Sequence, residues 1–294
     1  MMKFNFFIAL MLTMHSIAFA IPKAEKNALV DLYTNTNGAN WLKTWQLDAP
    51  VSTWEGVVIE NNHVVGILLF NNNLEGNLSA SLGALKKLKI LNLAFNHLNG
   101  ELPTSLYTLE NLVTLRLGKN NFSGSISNSI DALKNLSFLD LFDNKFTGEI
   151  PISIGNLKEL KVISLSGNKF EGVLPSTIST LKKLERLELA NNKLQGEFPK
   201  TIANITSLKS LVIAENSFSS KFPKSILNMP NLELLQIQKN NFEVFFLDNV
   251  SETASNLSVF DFDGNNKSFS DKNLRFTMPT RDTRTVKTQF EDHE

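Results

Sequence analysis

The side chains able to do chemistry in this chain are few, and their spacing is poor. Four histidines occur, His15, His63, His97 and His293, and none has a partner at metal-ligand or acid–base spacing. The absence of cysteine removes disulfides, thiolate ligands and thiol nucleophiles together. Asp140 and Asp143 invite reading as a paired-carboxylate acid/base centre. Asp261-x-Asp263-Gly264-Asn265 has some of a calcium loop's character. The EF-hand version fails, because glycine must be the sixth loop residue and an acidic ligand the twelfth. No glycine-rich phosphate loop or nucleophile elbow is present. The residues therefore argue against an enzyme and imply neither a metal nor a cofactor. Basic and acidic side chains balance at 29 each, which argues against nucleic acid, whose binders carry a positive excess.

The elements that must position these residues come from an internal repeat. The pattern is L-x-x-L-x-L-x-x-N-x-L-x-G-x-[IL]-P-x-x-[LI]-x-x-L-x-x. Its first position falls on Val64, Leu88, Leu112, Leu136, Leu160, Leu184, Leu208 and Leu232, every step being 24 residues, and a partial ninth unit begins at Leu257 after a step of 25. Asparagine holds position nine throughout: Asn72, Asn96, Asn120, Asn144, Asn168, Asn192, Asn216, Asn240 and Asn265. Glycine holds position thirteen from Gly76 to Gly196, then lapses to Ser220 and Val244.

Each position has a physical reason. Positions one, four and six point inward from a short strand, because strand side chains alternate. The asparagine amide can bridge backbone groups left open where the strand turns, making a structural ladder. Glycine allows conformations closed to other residues, and proline sets φ without needing a donor. Phe122, Phe146, Phe170, Phe218 and Phe242 all fall at position eleven, an inward position, and are expected in the core. One unit cannot bury its own apolar face, so the units must stack.

The units resemble the plant-specific class of leucine-rich repeats, found in receptor-like kinase ectodomains and polygalacturonase-inhibiting proteins. The cysteine-free form is more similar to secreted bacterial members. The resemblance implies an α/β repeat solenoid, a right-handed superhelix with a parallel concave β-sheet and an N-terminal helical cap. Residues 21–63 are expected to form that cap. Ala28, Leu29, Leu32 and Tyr33 have helical spacing, and Trp41, Trp45 and Trp54 supply covering apolar area, a role that the open end of the solenoid demands and that is preferred to a tryptophan-lined sugar site. The repeats occupy 64–265, and 266–294 reads as a C-terminal cap remnant with a polar, flexible tail. The first 20 residues carry Lys3, an apolar run from Phe6 to Met14 and Ala18-Phe19-Ala20, the three parts of a secretory signal. They imply a secreted, extracellular or periplasmic protein. No segment is long enough to span a membrane, and a monomer is expected.

What remains is the concave face, where positions three, five, seven and eight point outward. Nine strands at about 4.8 Å give a surface roughly 40 Å long, enough for a protein interface. Its N-terminal half carries Phe70, Phe95, Phe138 and Phe142 beside Arg116, Lys119, Asp140 and Asp143, with Arg186 and Glu188 further along. All are expected to be exposed, with no cleft to raise a carboxylate pKa. Exposed aromatics and arginine are the usual anchors of binding surfaces. The expected function is recognition of a protein or peptide ligand (adhesion, recognition or enzyme inhibition). The alternative is a glycan stacked on the same aromatics.

Overall fold

The computed structural model describes residues 21–243 and 257–262. The signal-like segment, Asp263, Asn265, the decayed repeat segment 244–256 and the expected tail lie outside the described residues.

The chain opens with helix Lys23–Asn35, which buries Ala28, Leu29 and Leu32. Pro22 precedes its first turn, where a missing N–H costs nothing. The three tryptophans fold beneath it, all buried. Trp45 stacks on Trp54 at 4.9 Å and meets Trp41 edge-on at 4.9 Å. Each indole N–H donates to a backbone carbonyl, of Thr36, Glu55 and Gln46 in turn. With faces packed and polar edges satisfied, the tryptophans cover the core and present no surface to a sugar. Glu25 ties the helix to the first repeat. Its buried carboxylate accepts the Val64 N–H at 2.7 Å and lies 2.6 Å from His63 Nδ1.

Among the described residues the main sheet has ten strands rather than nine. The extra one is Val57–Glu60, which pairs antiparallel with His63–Leu68 and covers the sheet's first edge. The turn between them places Asn61 and Asn62 at φ 50° and 62°, the conformation that right-twisted hairpins require and asparagine tolerates. From there every strand is parallel and offset by one repeat: Leu91 pairs with Leu115, Leu115 with Leu139, Ile163 with Leu187. The inward leucines are fully buried, and the position-eleven rings of Phe122, Phe146 and Phe170 stack at 6.2 and 6.1 Å, close to parallel.

Each asparagine amide spans two units. Asn120 Nδ2 donates to the carbonyls of Leu93 and Leu117, and its Oδ1 accepts the Leu98 N–H. Asn192 and Asn240 make the same contacts while half-buried. The glycines at position thirteen have φ between 74° and 126°. Where glycine lapses, Ser220 keeps a φ of 65°, so stacking holds the conformation against the residue's preference.

After each glycine the chain turns over the convex side in short 3₁₀ turns such as Thr104–Thr108 and Ile152–Asn156, each preceded by the repeat's proline. The segments between asparagine and proline pair as well. They form a three-stranded parallel sheet from Glu75–Asn77 to Asn121–Phe122 and a five-stranded one from Thr147–Glu149 to Asn241–Phe242. These flanking sheets were not anticipated from the repeat pattern. No helix among the described residues is long and apolar enough to cross a membrane.

Candidate functional site

The strand alternation that buries positions four and six turns positions three, five, seven and eight to the concave side, but how far each side chain reaches into solvent depends on its neighbours one and two units away. Phe70 and Phe95 are exposed, at 49% and 40%. Their ring centroids lie 5.1 Å apart, tilted by 56°. Phe95 in turn meets Phe142 at 5.7 Å and 60°, although Phe142 belongs to the repeat two units away.

Gly118 makes that reach possible. It holds position seven of the intervening unit, and a Cβ there would lie 2.2 Å from the Phe142 ring and 2.8 Å from Asp140 Oδ1. The ring leans back over the glycine, so three aromatics form one row across four repeats. The same lean corrects two expectations. Phe142 is half-buried rather than exposed, and it roofs Asp140, which is only 2% exposed. Phe138 is also half-buried, with the Arg116 guanidinium 5.7 Å from its ring centroid, within range of cation–π attraction.

Asp140 therefore does sit in a cleft. Its Oδ1 accepts the Phe142 N–H at 3.3 Å and its Oδ2 lies 3.5 Å from Arg116 Nε. Burial pushes its pKa up to about 6, against the pull of the Phe142 amide and Arg116, and the Glu188 carboxylate adds to the rise. Glu188 is also raised, by burial first, although the Ser164 hydroxyl donates to it at 2.9 Å and Arg186 Nε lies 3.6 Å away. Arg186 and Glu188 thus form a separate polar cluster that the aromatic row does not join. Lys119 and Asp143 pair with each other in solvent. Asp143 is exposed and Asp140 is not, so the two aspartates make no acid/base couple. Among the described residues no three histidine, aspartate or glutamate side chains come together as a metal site. Asp261 instead accepts a hydrogen bond from Gln236 at 2.7 Å.

Position eight has a property that sequence reasoning missed. Asn71, Phe95, Lys119, Asp143, Gly167, Asn191, Glu215 and Lys239 all have φ between 48° and 69°. Polar residues and glycine fill this column except at Phe95, where a bulky aromatic occupies the left-handed region at φ 59°. The prevalence of Asn, Asp and Gly in the column was the available signal. Beside Phe95 the corner between the main sheet and the three-stranded sheet opens into a depression of about 440 Å³. Leu42 from the cap, His97, Asn121, Lys119 and Asp143 contribute to its walls.

A family model described as a leucine-rich repeat region matches residues 118–290, over half the chain, and a single leucine-rich repeat matches 87–109. The chain is a member of the leucine-rich-repeat family. Solved structures similar to this leucine-rich-repeat chain include the PEPR1–AtPEP1 complex, at a TM-score of 0.68 and 29% identity over 75% of this chain. The plant peptide hormone receptor RGFR1 in complex with RGF2 gives a TM-score of 0.62 and 29% identity over 67%. The Arabidopsis receptor kinase HAESA in complex with the peptide hormone IDA and the co-receptor SERK1 gives 0.57 and 37% over 58%. The matched regions are 32%, 31% and 29% of those three chains, so this protein spans about a third of their length.

Proposed function

We propose that this protein is an exported, non-catalytic recognition module that binds a protein or peptide ligand on the N-terminal half of its concave face. The observation that carries the reading is the row Phe70–Phe95–Phe142. Exposed aromatics packed on one another are large, rigid and already ordered, so a ligand loses little further entropy in meeting them. Two of the similar structures hold hormone ligands, which supports a peptide as the occupant. The three-part segment at residues 1–20 supports export.

The tilt between the rings favours a peptide over a glycan. At 56° and 60° they make a corrugated surface suited to side chains, whereas successive sugar rings stack on flat, open faces. The buried Asp140 and its Arg116 partner serve this reading as the support beneath Phe142.

The test uses a random peptide display library panned against the full chain, with an oligosaccharide array in parallel. Peptides are expected to be enriched, and Phe70→Ala with Phe95→Ala should cost them about 2 kcal/mol or more while Tm stays close to wild type. Arg116→Ala with Phe142→Ala is the poorer choice. It strips the partner and roof from a buried carboxylate and lowers stability by itself. Array binding without any enriched peptide would overturn the reading.

A further inference from the structure

We infer that the N-terminal cap takes part in recognition as well as closing the core: Leu42 and Phe95 form two sides of a pocket for one large apolar ligand side chain, and Asn71, His97 and Asn121 hold the peptide backbone beside it. This inference rests on the peptide-binding reading above and extends it to residues outside the concave strands.

Two independent observations point to the corner. The first is Leu42, which is 71% exposed, the highest value among the large exposed apolar side chains of the described residues. Its exposure does not come from a slack loop. The Leu42 N–H donates to the Asn72 carbonyl at 3.1 Å, and the Lys43 N–H to Asn72 Oδ1 at 2.7 Å. Asn72 returns its amide to the Lys43 carbonyl at 3.3 Å, and Asn73 Nδ2 donates to the Asn40 carbonyl at 2.9 Å. Trp41, next in the chain, is buried with its indole N–H on the Thr36 carbonyl at 2.8 Å. A leucine pinned in water by the asparagine ladder itself is pre-organised to meet something apolar.

The second observation is Phe95. Its backbone adopts the left-handed conformation at φ 59°, which disfavours a bulky side chain, and asparagine, glycine or a charged residue serves the same position in every other described unit. A strained residue kept at a concave corner is the signature of a site. The depression between the two residues, about 440 Å³, falls within the roughly 300–1,000 Å³ of pockets that receive drug-sized ligands. It has room for a side chain and the backbone on either side.

The rest of the wall fits a peptide backbone. Asn71 and Asn121 offer amides that can donate and accept together, as a peptide unit requires, and His97 in the same lining adds ring nitrogens. Lys119 and Asp143 also line the depression, paired with each other, so their charges offset and the pocket selects neither sign. Leu42 is aliphatic and gives a sugar hydroxyl nothing to bond, whereas it suits leucine, methionine or phenylalanine.

The experiment takes peptides enriched from the random display library on the full chain and measures their affinity for three variants. Leu42→Ser is expected to weaken binding at least about 10-fold, and Asn121→Ala about 3-fold or more, as expected for a buried anchor and a flanking hydrogen bond. Neither should change Tm. Ile152→Ser, an exposed apolar residue on the convex side, should leave affinity unchanged. Enriched peptides that lose affinity with Phe70→Ala but not with Leu42→Ser would overturn this inference and leave the concave-face reading standing. No enrichment of peptides, with oligosaccharides bound instead, would overturn both.

Discussion

The concave face has two halves built on one scaffold. In units one to four the outward residues include Phe70, Phe95, Phe138 and Phe142. In units five to eight the same positions, three, seven and eight, hold Val162, Arg186, Ser210, Leu234, Ser166, Ala190, Ala214, Gln238, Gly167, Asn191, Glu215 and Lys239, with no aromatic among them. Beneath both halves the leucine columns are equally buried, the strands pair in the same register, and the asparagine amides make the same bonds. The contrast therefore owes nothing to the fold. Aromatic bulk and a strained backbone position are concentrated in the first half, where stacking does not require them, and the second half continues the sheet without outward aromatics.

The sharpest way to break this comparison is to show that the scaffold is not uniform. Phe122→Ala and Phe218→Ala remove equivalent fully buried rings from the two halves. Each is expected to cost about 3–5 kcal/mol in urea unfolding, and the two values should agree within about 1 kcal/mol. A much larger cost in one half would tie the surface contrast to the core.

Next in size is the pH effect that Asp140 contributes in the first half. The folded-state pKa of Asp140 is raised from 3.8 to about 6, so the folded protein holds this proton more tightly than the unfolded chain does. Its contribution favours folding below pH 4 and is lost as pH rises through 6. It amounts to about 2–3 kcal/mol by linkage. Asp140→Asn should remove that part of the slope, so the difference between wild-type and variant stability should change between pH 4 and pH 7. A constant difference would mean that the carboxylate is hydrated and that Phe142 does not roof it.

Gly118→Ala tests the roof directly. The added methyl meets the Phe142 ring and should cost about 1–3 kcal/mol as an overpacked contact. Displacing the ring also admits water to Asp140, so the variant's pH slope should flatten as well. The smallest effect concerns position eight. Asn191→Phe places in the second half what Phe95 places in the first, at a φ of 53°. It should cost about 1 kcal/mol, with no neighbouring rings to offset it. Phe95→Asn should stay within about 1 kcal/mol of wild type while abolishing peptide capture. Stability gained or lost equally by both substitutions would remove the case that Phe95 is kept for a ligand.

The scaffold was legible because its rules are local and repeated. Alternation along a strand requires only neighbours in sequence, and a 24-residue period brings Leu115 beside Leu139 whatever occupies position five. The candidate surface was legible as a set of positions, since Phe70, Phe95, Arg116 and Lys119 do face the concave side. It was not legible as an arrangement. Asp140 was expected in solvent because its strand position faces out, yet it is enclosed by a ring two residues ahead in sequence and a guanidinium from the preceding unit. Leu42 drew no attention because it sits in the cap, beside tryptophans whose covering role was clear. The flanking sheets were missed because their segments are interrupted by glycine and carry little β propensity. They pair because the stacked units bring their backbones into register.

The order of residues by itself determined the repeat, the buried columns and the faces on which variable residues must lie, since each follows from the period of a strand and the need to bury leucine. Only the tertiary structure decided which outward residues touch. Contacts such as Phe95 with Phe142 join side chains 47 positions apart. They depend on a missing side chain at Gly118 and on the spacing between units, and packing in three dimensions sets both.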